Sequence, residues 1–126
     1  MEAWQKVFRE GLAPLLSTEQ LEVLRQGLIM NDPRLGQGFT TQPPPLRCVK
    51  DWDVEKVDLI GYCGWFDGLR TVGEIEEFFA RTCFEMDKLL GEPAGCRWLL
   101  NWYDETPRQE MRERLLLEVN LALSSR

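Results

Sequence analysis

Four cysteines, no histidine and a surplus of carboxylates define the chemistry open to this chain of 126 residues. The missing histidine removes Ser-His-Asp triads, Cys-His dyads and the commonest general base near neutral pH. Cys48, Cys63, Cys83 and Cys96 are separated by fourteen, nineteen and twelve residues, so no Cys-x-x-Cys knuckle is present. Structural zinc sites draw their ligands from such paired knuckles. The spacing therefore predicts packed thiols, no metal and no other cofactor, with a four-cysteine metal domain as the third reading of the function.

Cys63 stands in the most suggestive setting, Gly61-Tyr62-Cys63-Gly64-Trp65-Phe66-Asp67-Gly68. Read as a glycine-spaced loop between a strand and a helix, this run could let a ligand approach the backbone, with Cys63, Asp67 and Tyr62 as the catalytic candidates. The Gly-Lys-Ser/Thr ending of a phosphate loop is absent, and Glu74, Glu76 and Glu77 follow where an anion-binding helix would need to be free of acid. No cluster of cations lies nearby in sequence to lower the thiol pKa. The competing reading is a tight turn packed by Trp65 and Phe66. Asp51, Asp53, Glu55 and Asp58 lack the glycine and terminal glutamate of a calcium loop and read as a solvated turn, and Asp104 with Glu105 forms a second acidic pair. The five tryptophans suit a core or a subunit interface, since indole offers a large apolar area with one donor to satisfy.

Composition places this chemistry on an ordinary globular chain. Apolar residues make up 44% and charged residues 29%, near the average for such proteins, and the length suits one domain spanning 1–126. A formal charge of −6 argues against a nucleic-acid partner, because phosphate-backbone affinity comes from clustered Lys and Arg. Met1 to Leu16 mixes charges among its apolar residues, unlike a signal peptide, and no run is long and apolar enough to span a membrane. The expected location is cytoplasmic, with reduced thiols.

The elements that must position these groups are organised around Thr71 to Gly91. Thr71 and Glu74 form a capping box, Ile75, Phe79, Cys83, Met86 and Leu90 recur at helical spacing with Phe78 and Leu89 widening the stripe, and Gly91 with Pro93 closes the helix. Ala3 to Ala13 predicts a first helix ended by Pro14. A second, opened by the Ser17–Gln20 capping box, carries Leu21, Leu24 and Leu28 to Asn31-Asp32-Pro33, so residues 1–33 read as a helical hairpin. Residues 34–46 form a Pro-rich extended connection whose three prolines favour polyproline II, read as a strap over the domain rather than a ligand for a partner's groove. Leu46 to Lys50 and Lys56 to Tyr62 alternate like strands of a small β-hairpin near 46–62. Residues 93–103 form a helix buried on most sides, with a strand as the alternative. Thr106-Pro107-Arg108-Gln109 reads as a third capping box opening a last helix from Pro107 to Leu123.

The predicted fold is thus mainly α, with α+β possible: about five helices around a central one near 72–90. Leu117 and Leu121 fall outside the stripe of Met111, Leu115, Val119 and Ala122, so the last helix is apolar over more of its circumference than one core needs. That excess, the tryptophans and the missing catalytic set lead to a non-enzymatic interaction or assembly module, a homodimer with Leu117 and Leu121 at its interface. The alternative is a small-molecule or metal-binding enzyme using the run Gly61 to Gly68.

Overall fold

A computed structural model describes residues 1–42 and 50–126. The triproline run, Cys48 and nearly all of the strand expected from Leu46 to Lys50 lie outside those residues; Lys50 itself sits in a turn. The fold is mainly α with a two-stranded antiparallel sheet. No helix among the described residues is long and apolar enough to cross a membrane.

The first helix, α1 (Ala3–Val7), passes into a π-helical turn at Phe8–Leu12 and a 3₁₀ turn at Ala13–Leu15. Pro14 cannot donate to an α ladder, and the chain leaves through a Leu16 N–H to Ala13 carbonyl bond of 3.1 Å. Trp4, Val7, Phe8 and Leu12 are buried, as their spacing predicts. Helix α2 (Thr18–Met30) starts at the predicted capping box, with Ser17 Oγ accepting from Gln20 N at 3.0 Å and Gln20 Oε1 accepting from Ser17 N at 2.8 Å. Asn31, in the left-handed conformation (φ 51), ends it. These two helices seek different partners rather than each other: α1 packs chiefly on the fifth helix, α2 on the third and the last.

Strand β1 (Thr41–Gln42) pairs with β2 (Lys56–Val57) in the register Thr41 to Val57 and Gln42 to Lys56. The second strand is far shorter than the expected Lys56 to Tyr62. Asp58 ends it by turning its carboxylate onto the N–H of Gly61 at 2.8 Å, which caps helix α3 (Leu59–Phe66). The stretch expected to be a strand and a glycine loop is therefore mostly a helix. Leu59 through Gly64 are all buried, so a pattern that looks alternating is a helix apolar on every side. Its glycines serve packing: a Cβ on Gly61 would meet Val57 Cβ at 2.9 Å and Ile75 Cγ2 at 3.0 Å, and one on Gly64 would meet Phe78 Cδ1 at 2.8 Å.

Helix α4 (Val72–Leu90) has both predicted ends, the Thr71–Glu74 box and Gly91 at φ 64. Its buried line runs through Val72, Ile75, Thr82 and Met86; Phe79 and Cys83 are half-buried, and Leu89 is exposed. Residues 96–105 settle as helix α5 (Cys96–Glu105), with Cys96, Leu99 and Tyr103 buried. Trp102 lies flat on Trp4, ring centroids 3.5 Å apart, while Trp98 stays exposed, so α5 buries less of itself than expected. Helix α6 (Arg108–Ser124) opens without the third capping box: the Thr106 hydroxyl donates to the Trp102 carbonyl at 2.5 Å and closes α5, leaving Pro107 as the residue before the helix. Arg112 then donates to the carbonyls of Leu28 (2.8 Å) and Ile29 (3.1 Å) at the end of α2, locking α6 to α2.

Candidate functional site

Tyr62 and Cys63 lie on helix α3 and Asp67 follows its last residue, but each is engaged in holding the fold. The Tyr62 hydroxyl donates to Asp32 Oδ2 at 2.7 Å. Burial, and then this carboxylate, hold the phenol above its ordinary range. The Cys63 thiol donates to the Leu59 carbonyl at 3.5 Å and is wholly enclosed; burial first, then the nearby carboxylates of Asp58 and Asp67, push it up and keep it a thiol. Asp67 Oδ2 accepts from Gln20 Nε2 at 2.6 Å, tying the end of α3 to the start of α2. Beside them the guanidinium groups of Arg34 and Arg70 lie over the Trp65 ring, 4.7 and 4.1 Å from its centroid. The Cys63 sulfur is enclosed by the described residues, and Gly61 and Gly64 are helix-packing positions.

Leu117 and Leu121 present a different picture. They sit one turn apart on α6 with 63% and 54% of their surface exposed, while Met111, Leu115, Glu118 and Val119 fill the core side of the same helix. The surrounding surface carries both signs of charge. Towards the start of α6 stand Glu110 and Glu113, with Arg114 paired to Glu110 at 3.7 Å and to Glu2. Towards its end stands Arg126, whose guanidinium donates to the Ala13 carbonyl at 2.7 Å. Beside Leu121 a cleft of about 480 Å³ opens, floored by Ala13, Pro14 and Ala122 and edged by Arg9 and Arg126. The two exposed leucines thus stand next to a small cleft with apolar walls.

Two further surfaces were not read from the sequence. Leu15, Phe78 and Phe84 border a shallow groove of about 560 Å³ edged by Arg81 and Glu85. A second cleft, of about 470 Å³, brings together Asp58, Cys83, Cys96, Arg97 and Asp104 from the start of α3, from α4 and from α5. Asp58 is 3% exposed, and its carboxyl is pushed up to about 8, by burial above all and by Asp104, against the lowering effect of the Gly61 and Ile60 N–H groups. An aspartate directly before an apolar run is a helix-start signal, and it was the one sequence clue to this corner. Among the described residues no group of three or more Cys, Asp or Glu side chains is placed to hold a metal ion. Comparisons with protein-family models, with curated proteins and with solved structures find no match for this chain.

Proposed function

We propose that this protein is a non-enzymatic assembly module that forms a homodimer through the outer face of α6. The observation that carries this reading is the pair Leu117 and Leu121, side by side and more than half exposed on a helix whose other side is already packed. Exposed leucines in contact across a two-fold axis remove apolar surface from water at roughly 25 cal/mol per Å². The charges around them favour a second copy as the occupant. In an antiparallel pairing centred between the two leucines, Leu117 of one copy faces Leu121 of the other. The acidic end bearing Glu113 then lies against the partner's end bearing Arg126, twice over. The cleft beside Leu121 gives the facing leucine a place to enter. A standard interface covers about 800 Å² per partner, so the contact would extend past the two leucines onto Pro14 and the end of α6.

The setting proposed is the cytoplasm, supported by the free thiols of Cys63, Cys83 and Cys96, and the acidic balance favours a protein rather than a nucleic-acid partner. The enzyme reading through Gly61 to Gly68 has no comparable support.

Sedimentation velocity at roughly 50 µM, above the micromolar Kd expected of a small interface, tests the dimer. The expected result is a dimer for the unaltered chain and a monomer of unchanged helicity for Leu117→Glu with Leu121→Glu. A monomer at every concentration for the unaltered chain would overturn the proposal.

A further inference from the structure

The cleft at the junction of α4 and α5 contains a second device. Cys83 and Asp87 stand one turn apart on α4. The Asp87 carboxylate reaches across the α4–α5 link and accepts two backbone N–H groups, from Ala94 at 3.1 Å and from Cys96 at 2.9 Å. The link itself is folded sharply, with Gly91 and Ala94 both left-handed (φ 64 and 58). This clamp fixes the first residue of α5 beside the turn of α4 that carries Cys83. Both cysteines line the same cleft, Cys83 half-buried and Cys96 6% exposed. The other described cysteine, Cys63, is enclosed on α3.

We propose that Cys83 and Cys96 form a dithiol site that a low-molecular-weight disulfide of the glutathione class oxidises to an intramolecular disulfide, joining α4 to the start of α5. The more open Cys83, as thiolate, attacks one sulfur of the external disulfide, forming a mixed disulfide and expelling one small thiolate. Cys96, as thiolate, then attacks the Cys83 sulfur, forming the internal bond and expelling the second small thiolate. Two electrons pass from the protein to the external disulfide, and the two protons lost by Cys83 and Cys96 end on the two released thiols. The Asp87 clamp makes the second step intramolecular, so the mixed disulfide does not accumulate. Both thiols are held above the ordinary thiol range, chiefly by burial, so the exchange is slow near neutral pH and quickens as the solution becomes alkaline.

The test uses the full chain and its Cys48→Ser variant, incubated with reduced and oxidised glutathione in varied ratio, alkylated, digested with trypsin and weighed. Trypsin cuts after Arg81, Lys88 and Arg97, which places Cys83 and Cys96 on separate peptides, 82–88 and 89–97. The expected product is these two peptides joined, with a loss of two hydrogens from the intact monomer, in both proteins. Cys96→Ser should abolish the joined peptide and leave glutathione on Cys83. The proposal is overturned if both thiols stay alkylatable across all ratios, if Cys83 or Cys96 of the unaltered chain keeps glutathione as a stable adduct, or if the disulfide forms between two chains.

Discussion

The guanidinium of Arg9 covers the carboxylate of Glu118, with Nε 2.5 Å from Oε1 and Nη2 3.0 Å from Oε2, and so ties the first turns of the chain to the last helix. Glu118 is 2% exposed, and Gln5 Nε2 reaches the same carboxylate at 3.3 Å. Arg9 and Gln5 together satisfy the carboxylate there, and the arginine is in turn held protonated by its hydrogen bond to Glu118.

Removing one partner should therefore hurt more than removing both. Arg9→Ala leaves an uncompensated carboxylate in the core, whereas Arg9→Ala with Glu118→Leu leaves an apolar contact in its place. The expected order of urea midpoints is unaltered chain, then double variant, then Arg9→Ala. A double variant less stable than Arg9→Ala would show that Glu118 is supported mainly by other groups.

Gly27 and Tyr62 define how close α2 and α3 can come. A Cβ on Gly27 would lie 2.6 Å from Tyr62 Oη and 2.7 Å from its ring carbons, and that ring is 2% exposed with nowhere to move. Gly27→Ala should cost about 1–3 kcal/mol, as overpacking in a filled core does. Tyr62→Phe, which loses the bond to Asp32 but keeps the ring, should cost about 0.5–1.5 kcal/mol. Denaturant unfolding of the two variants checks both values.

Asp58 should make stability depend on pH. Its folded pKa, about 8, lies above the ordinary aspartate value of 3.8. Below about pH 4 the group is neutral in both states, and its full benefit to folding is present. As pH rises from about 4 to about 8 only the unfolded chain ionises, so that benefit drains away, and above about 8 no more is lost. Asp58→Asn keeps a good capping side chain and never ionises. The stability of the unaltered chain minus that of Asp58→Asn should fall across this window and then level off. A difference that is flat from pH 4 to 8 would show that the carboxyl is ionised in the fold.

Cys63 should be inert while the chain is folded. Among the described cysteines, iodoacetamide is expected to label Cys83 first, and Cys63 about two orders of magnitude or more slower, because access to an enclosed thiol requires local opening. Equal rates on mass-spectrometric mapping would mean that α3 opens readily and would return the catalytic reading of Cys63 to consideration.

The contrast between these residues explains what was readable in the sequence. Helix ends were legible where the chemistry is local: Ser17 with Gln20 and Thr71 with Glu74 bond across one turn, and Gly91 needs only its own freedom at positive φ. The excess leucines of α6 were legible for the same reason, since a helical period sorts Leu117 and Leu121 away from Met111 and Leu115 without reference to any neighbour. Helix α3 was not. Gly61 and Gly64 have their purpose in Ile75 and Phe78 of another helix, so in sequence they resemble a loop. Thr106 likewise could cap forward or close backward, and the choice went to a carbonyl of α5. The meeting of Cys83 with Cys96 depends on a carboxylate reaching across a turn, which no periodicity encodes.

The path of α1 bears on how the chain is made. Trp4, Val7 and Phe8 lie in the core; Trp4 finds its cover in Trp102 of α5, and Arg9 its ion pair in Glu118 of α6, 109 positions later. A ribosome adding roughly 5–20 residues per second needs on the order of ten seconds to deliver those partners. Throughout that interval this apolar helix exists before the surfaces that cover it, so its burial is among the last steps the growing chain can complete.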